Sequence, residues 1–348
     1  MIRIAFFQND LGVGGIQKSL VNLLCSLDYN EFDVTLFLST KENYWNQNLP
    51  KELKIVYLKK MPVKYKLLDF DYAMFTYGFD FDEDQFFDLA IDFNSYQPSC
   101  ALGALTVPAK RRAMVIHNNV EIKYSEEFKY RVLFNAMKSK YKYFDVFLPC
   151  SDALETPFKK LTGIGSDKDF IVINNYINVD EIHQKAEIEV SDIEVDNNKM
   201  NFIAVGKLCH QKGYDLMLRY FSEASKKRDD LHLYIIGDGP DKKQLELMAG
   251  NNVTFLGSKE NPYSYMNLMD AFISTSRYEG QPLNIKEAEV IGLPIYCTKN
   301  LELYSDGLIG KEDIVSAIIS AKKYIKSPDN LEEYNKRIIN SYKSLAIS

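Results

Sequence analysis

Two glutamates and two lysines in the second half of the chain could act on a phosphorylated sugar. Glu279 and Glu287, separated by seven residues, lie in "STSRYEGQPLNIKEAEVIGLP" (274–294). Gly280 and Pro282 make a loop that leads into a helical pattern. The first N–H groups of a helix have no intrahelical partners, and the end they form accepts phosphate. A buried carboxylate beside that end would cap a ribose through its paired hydroxyls. Upstream, "VGKLCHQKGYDLML" (205–218) puts Lys207 and Lys212 just past a strand. Two ammonium groups at a strand's C-terminal end can neutralise a diphosphate. Blander readings exist for each. Surface lysines are usually solvated, Glu279 fits a solvated loop, and Asn284 to Glu287 has the spacing of a capping box.

The first half offers a glycine loop and a histidine. "LGVGGIQKSL" (11–20) stands between an apolar strand and a helix start. Gly12 and Gly14 fit two positions of the G-x-G-x-x-G fingerprint, but Gln17 takes the third, and Asp33 precedes "VTLFL" rather than ending a second strand. That disfavours a nicotinamide site. The neighbours Gly14 and Gly15 still permit close backbone approach. His117 ends the strand "RAMVIH" (112–117), where it either reaches a ligand or packs at the strand end. "DFD" (69–71) and "DFDED" (80–84) could pair carboxylates around a divalent cation, but they lie in an irregular acidic and aromatic stretch, and no metal is expected there.

These groups need strands to end beside one another. Apolar runs recur at 2–8, 32–38, 88–93, 112–117 and 145–149, and again at 201–205, 231–237, 252–257, 270–276 and 293–297. Helical patterns at 16–27, 124–143, 213–227, 241–249, 284–291 and 311–326 fall between most of them. Unbroken apolar strands alternating with helices predict an α/β protein with parallel sheets covered on both faces. An acidic, polar stretch at 186–199 separates two such halves. The predicted domains are 1–180 and 198–330, with a terminal helix at about 331–348 returning to the first.

At 348 residues, 46% hydrophobic and 26% charged, the chain has material for two buried cores. A net charge of −6 argues against a nucleic-acid partner. Five scattered cysteines without a CxxC predict neither a disulfide framework nor a zinc site. No signal peptide pattern is present, and no apolar run reaches the ~20 residues a membrane span needs. A cytoplasmic protein is expected. Basic residues gather in the first half: Lys54, Lys59, Lys60, Lys64 and Lys66, then Lys110, Arg111 and Arg112, then "FKYRVLFNAMKSKYKYF" (128–144). Mixed with aromatics, they suggest an anionic membrane surface as a partner and a peripheral place on the inner face of the cell membrane. A solvated helix face over a core stripe is the alternative.

Taken in order, Gly14-Gly15, "NNYINVDEI" (174–182), "GKLCHQKG" (206–213), "IIGDGP" (235–240), "FLGS" (255–258) and Glu279-x7-Glu287 followed by "GLP" (292–294) resemble the GT-B fold glycosyltransferases, in particular the large retaining family 4. The resemblance implies two Rossmann-like domains facing across a cleft, the first binding the acceptor and the second the donor. It implies a metal-independent transfer, with retention at the anomeric carbon, from a UDP- or GDP-sugar to a hydroxyl of a glycan acceptor. A lipid-linked acceptor in bacterial surface polysaccharide assembly (capsule, exopolysaccharide) is the context, and no cofactor is implied. Lys207, where the family most often has arginine, and Lys212 would hold the diphosphate. Backbone at Leu283 and Asn284 would touch it, and Gly15 would close on it. Glu287 would bind the ribose, backbone near Leu256 the base, and Glu279 and His117 the transferring sugar. A catalytically silent partner subunit and a GT-B nucleotide-sugar epimerase are the competing expectations.

Overall fold

Strands that are apolar on both faces must be buried on both, and two parallel sheets meet that need. The computed structural model describes residues 1–41, 44–45, 49–59, 61, 70–77, 79, 81, 85–165, 167–304, 308–310 and 312–348. The chain divides into two compact units, Met1–Tyr176 with Glu332–Ser348, and Ile177–Leu331. The division precedes the helix Val179–Ala186, which packs on the helices Pro262–Leu268 and Leu283–Ile291 of the second unit.

In the first unit, β1 (Ile2–Gln8), β2 (Phe32–Leu38), β3 (Lys54–Tyr57), β4 (Phe87–Asp92), β5 (Ala109–Ile116), β6 (Val146–Pro149) and β7 (Asp169–Phe170) form a sheet in the order β3-β2-β1-β4-β5-β6-β7. Every pairing is parallel. Side chains alternate between two cores. Phe7, Ala90, Met114 and Phe147 face a cluster that includes Cys100 to Leu105 of the helix Pro98–Thr106. Phe6, Ile91, Val115 and Leu148 face Leu20 to Leu24 of the helix Gly15–Ser26 and Ile338, Tyr342 and Leu345 of the helix Glu332–Ile347. Burial of each such side chain is worth ~1.5–3 kcal/mol. Tyr342 meets Phe6 edge-on at 6.2 Å, so the C-terminal helix is part of the first core. The strand order reverses between β1 and β4, and ligands of open α/β sheets sit beyond the strand ends at such a reversal.

The second unit repeats the plan. β8 (Met200–Val205), β9 (Leu231–Ile236), β10 (Val253–Gly257), β11 (Ala271–Ser274), β12 (Ile295–Cys297) and β13 (Leu308–Ile309) lie in the order β10-β9-β8-β11-β12-β13, all parallel. Phe202 and Tyr296 meet at 5.0 Å in its core, and the reversal falls between β8 and β11.

Two predicted helices are corrected. The pattern at 124–143 is three pieces: Val120–Glu126, Phe128–Met137 and a 3₁₀ segment Lys138–Tyr143. Extended backbone at Glu127 breaks the first join, and the tighter last turns bring Lys140 inside, 2% exposed. The pattern at 311–326 yields only Ile314–Ile319. Beyond it the chain passes beside the helix Leu283–Ile291, where Asp329 N–H donates to Glu289 O at 3.2 Å.

Candidate functional site

The carboxyl ends of β8, β9 and β11 meet at the reversal in the second unit. Their loops are shaped by close backbone approach. A Cβ on Gly237, after β9, would lie 1.9 Å from Gly206 O, so that crossing admits only glycine. Gly213 has φ +65°, and a Cβ there would lie 2.2 Å from Thr275 O. Thr275 Oγ1 donates to Gly213 O at 2.9 Å, which locks the loop after β11 to the loop after β8.

A second lock lies one step further out. Arg277 grips Asp215 with two bonds of 2.8 and 2.7 Å and donates to His210 O at 2.7 Å. The guanidinium holds the Asp215 carboxyl well below the usual carboxylate range. Asn300 Nδ2 donates to Ser276 O and Arg277 O. The segment carrying Glu279 is therefore fixed from two sides by the protein's own bonds.

Glu279 is 7% exposed. Lys212 Nζ donates to its Oε1 at 2.6 Å. Gln211 Nε2 lies 3.4 Å from its Oε2 and donates to Tyr278 O at 3.1 Å. Tyr304 O–H donates to Glu279 O at 2.8 Å. Lys212 also passes over Gly206: a Cβ built there would sit 3.2 Å from Tyr214 Oη, 3.8 Å from Lys212 Cε and 3.9 Å from Asn284 Nδ2. The notch over Gly206 is thus walled by a hydroxyl, a cation and an amide. Burial, with help from Cys209 and Glu279, pushes the Tyr214 phenol up, so it stays protonated and able to donate.

The helix Leu283–Ile291 starts at this notch with Pro282 as its cap and no side-chain cap bond. Asn284 is inside the helix. Its Nδ2 donates to Val205 O at 2.8 Å and pins the helix start to the end of β8. The capping-box alternative for Asn284 and Glu287 is thereby corrected, because Asn284 is not the cap and its amide is used across the sheet end. Asn284 Oδ1 is buried without a partner among the described residues. Glu287 is 5% exposed and accepts from Tyr263 O–H at 3.2 Å. Burial first, then the Glu287 charge, pushes the Tyr263 phenol well up.

The other predicted residues are dispersed. Lys207 is exposed beside the notch. Leu256 lies on the edge strand β10, next to Gly257, whose carbonyl accepts from Gly237 N–H at 2.9 Å. Gly15 and His117 belong to the first unit. Gly15 opens the helix Gly15–Ser26, with open space where a Cβ would be. The loop before it is organised by Asp10, which accepts from Gly12 N–H at 3.0 Å and Gln17 Nε2 at 2.9 Å. Gln17 stands where a dinucleotide loop has glycine because its amide closes this turn. His117 Nε2 donates to Phe93 O at 2.6 Å, and the rings of Phe93 and His117 lie 4.9 Å apart. Burial pushes the imidazole down to about 4. It is neutral near pH 7 with Nδ1 left as an acceptor, suited to receive a hydroxyl proton in a hydrogen bond.

Asp69, Asp80, Asp82, Glu83 and Asp84 of the two acidic motifs lie outside the described residues. Asp71 is engaged by Lys142 at 2.7 Å. Among the described residues no group of three or more His, Cys, Asp or Glu could hold a metal ion. Lys60, Lys64 and Lys66 also lie outside the described residues. Other members of the basic set are spoken for: Lys54 pairs with Asp33, Arg111 with Asp169, and Lys110 donates to Ile347 O. The helix Phe128–Met137 does expose Phe128 (72%) and Val132 (53%). No helix among the described residues is long and apolar enough to cross a membrane.

Sequence reasoning missed Gln211, Tyr263 and Tyr304. Gln211 sits inside "GKLCHQKG" and was within reach of a motif argument, whereas the tyrosines reach the glutamates only through the fold.

Residues 199–326 match the family model of glycosyl transferases group 1. An uncharacterized glycosyltransferase of Methanocaldococcus jannaschii is 29% identical over 194 residues, covering 53% of this chain and 47% of its own length. The chain thus spans about half of that archaeal relative. The N-acetylgalactosamine-N,N'-diacetylbacillosaminyl-diphospho-undecaprenol 4-alpha-N-acetylgalactosaminyltransferase of Campylobacter jejuni is 24% identical over 364 residues, covering 96% of this chain and 92% of its own. The structure of Anabaena HepE solved with UDP and glucose superposes with a TM-score of 0.64 at 15% identity, covering 99% of this chain and all of that one.

Proposed function

We propose that the chain, whose residues 199–326 match the family model of glycosyl transferases group 1, is a GT-B glycosyltransferase that moves a sugar, with retention, from a UDP- or GDP-sugar to a hydroxyl of a lipid-linked glycan. The observation that carries the reading is the notch over Gly206, where Lys212, Asn284 and a helix start converge beside the buried Glu279. Lys212, assisted by Lys207 and the first N–H groups of the helix at Leu283 and Asn284, meets the donor diphosphate. Glu287 takes the ribose hydroxyls, and backbone near Leu256 the base. Glu279 takes hydroxyls of the transferring sugar. In the first unit, Gly15 and the neutral His117 complete the donor contacts, and the unit binds the acceptor.

Chemistry follows from where charge develops. As the glycosidic bond breaks, positive charge grows at the anomeric carbon and negative charge on the departing diphosphate. Lys212 opposes the second, and the Glu279 carboxylate the first. The departing phosphate accepts the proton of the attacking hydroxyl, so no protein nucleophile is assigned. The lysine pair supplies the charge that a cation would otherwise supply, so turnover should survive EDTA; complete loss in EDTA, restored by magnesium or manganese, would overturn the metal-independent reading.

Support for a lipid-linked acceptor comes from the Campylobacter relative, whose name specifies a diphospho-undecaprenol substrate. Support for UDP comes from the ligands of Anabaena HepE. Surface polysaccharide assembly at the inner face of a bacterial membrane fits both. Thermal shift against a panel of nucleotide sugars tests the donor: at 100 times its dissociation constant a true donor adds ~2.7 kcal/mol of stability. Free sugar that forms without acceptor and carries an inverted ring stereocentre would replace transfer with epimerisation. No stabilisation by any nucleotide sugar would leave a silent subunit.

A further inference from the structure

The first unit has a reversal too, between β1 and β4, and there the loop after β4 is gripped from inside. β4 ends at Asp92, which is fully buried. Asp92 Oδ1 accepts from Ser95 N–H at 2.9 Å. Its Oδ2 is buried with no partner among the described residues. Lys140, 2% exposed, donates from Nζ to Ser95 O at 2.5 Å. Two buried charged side chains thus hold both polar backbone groups of one residue. Ser95 has φ +58°, a conformation that costs a non-glycine residue ~1 kcal/mol or more and persists only where its surroundings impose it. The neighbours are fixed as well. His117 donates to Phe93 O, Asn94 Nδ2 donates to Gln8 Oε1 at 2.5 Å, and Tyr96 N–H donates to Asn94 Oδ1 at 3.3 Å.

A buried ammonium is a poor way to stabilise a core, since replacing such groups by apolar ones is often neutral or better. Here it is spent on one carbonyl of a loop at the ligand-binding end of the sheet. The helical pattern at 124–143 is interrupted so that Lys140 can reach it. We infer that Asp92 and Lys140 are positioning residues that lock the loop 93–97 in the shape that presents the acceptor hydroxyl. The inference rests on the reading of this unit as the acceptor side.

The test uses the full chain as wild type, Lys140→Met, Ser95→Gly and the double variant. Methionine keeps the length of lysine but cannot bond Ser95 O, whereas glycine adopts φ +58° unaided. Hydrogen exchange of the amides at 95–97 reads the loop without reference to activity. In Lys140→Met it rises ~10-fold, the effect of one lost charge-assisted bond. Ser95→Gly in the same chain returns it to near the wild-type rate. With an undecaprenyl-diphosphate-linked disaccharide as acceptor probe, Lys140→Met raises the acceptor KM with UDP affinity unchanged, and Ser95→Gly restores that KM. A merely structural lysine gives neither the selective KM effect nor the rescue. Unchanged exchange in Lys140→Met, or failure of Ser95→Gly to restore the loop, overturns the inference. If Lys140→Met does not fold, Asp92→Ala removes the acceptor for Ser95 N–H and is read in the same way. If no nucleotide sugar supports transfer, the proposed function falls while the exchange data still decide the clamp.

Discussion

Replacing Glu279 by glutamine and Glu287 by glutamine should separate two roles. Lys212 is bound to Glu279 at 2.6 Å, with Glu279 7% exposed and Lys212 about a fifth exposed. A diphosphate must share or take that lysine. Glu279→Gln leaves a carbonyl for Lys212 but exchanges a charge-assisted bond for a neutral one, a difference of ~1 kcal/mol. Its new NH₂ also faces Gln211 Nε2, which lies 3.4 Å from Oε2. Both effects loosen Lys212. Nucleoside diphosphate affinity should therefore hold or tighten, by no more than about fivefold. The rate should fall, since a charge at the reacting sugar is lost: ~2–4 kcal/mol, or roughly 30- to 1,000-fold in kcat. Glu287 differs in that it contacts Tyr263 rather than a lysine. Glu287→Gln should weaken diphosphate and donor alike by roughly 10- to 100-fold, the value of a charged hydrogen bond. Calorimetric titration of both variants with UDP and GDP, beside steady-state rates, decides. Loss of nucleotide binding in Glu279→Gln, with binding and rate intact in Glu287→Gln, refutes the assignment.

Gly213→Ala places a Cβ 2.2 Å from Thr275 O at φ +65°, and should cost ~2–4 kcal/mol of stability in urea denaturation, whereas Gly15→Ala, which meets open space, should cost little. His117 is pushed down to about 4 by burial, against ~6.5 in the unfolded chain. Between those values the unfolded chain binds a proton that the folded one does not, so this stabilisation is complete above pH ~6.5 and is lost as pH falls towards 4. Asp92, raised to about 6 by burial, has the opposite sign: its cost sets in as pH rises from ~3.9 through about 6. His117→Gln should flatten the acid limb of a stability–pH curve, and coincident wild-type and variant slopes between pH 4 and 6.5 refute this. Liposomes containing anionic lipid should bind the protein at low salt and release it at high salt; Phe128→Ser with Val132→Ser should weaken that binding, and equal binding by wild type and variant assigns the exposed face of this helix to water.

The sheets were legible because their strands are apolar on both faces. Runs such as "IRIAFFQ" and "NFIAV" cannot be half-exposed, and the observed β1 and β8 follow them closely. β3, β7 and β13 escaped notice because they are short edge strands of four, two and two residues, and β3 and β7 are also largely exposed. The long helical pattern at 124–143 misled because periodicity says which face is buried but not where the backbone breaks, and the break serves a distant carbonyl, Ser95 O. In the second unit the motif residues were legible, yet their partners were not. Nothing in the spacing of Glu279 and Lys212, 67 positions apart, says that they touch. The sequence also left Asn284 free to be a cap, and only the approach of β8 shows that its amide is already engaged.

The two sheets have the same order at their reversals and opposite chemistry. In the second unit the cation at the reversal lies at the surface: Lys212 is partly exposed, lies over a glycine notch and is held by a carboxylate that a diphosphate can displace. In the first unit the cation is sealed: Lys140 is buried, bonds a backbone carbonyl, and shows only the loop it holds. An exposed, exchangeable ammonium suits a polyanion whose charge must be met as it departs. A buried one cannot meet a ligand's charge, but it fixes neutral donors and acceptors such as Asn94 and the Ser95 backbone in place. That division is what the proposed assignment, a phosphorylated donor on one unit and an acceptor hydroxyl on the other, requires. It also predicts different salt responses, since ligand binding through Lys212 and Lys207 is screened by ionic strength, whereas the loop geometry set by Asp92 and Lys140 is shielded from it. Nucleotide affinity that is insensitive to salt would contradict the assignment of the exposed lysines to the diphosphate.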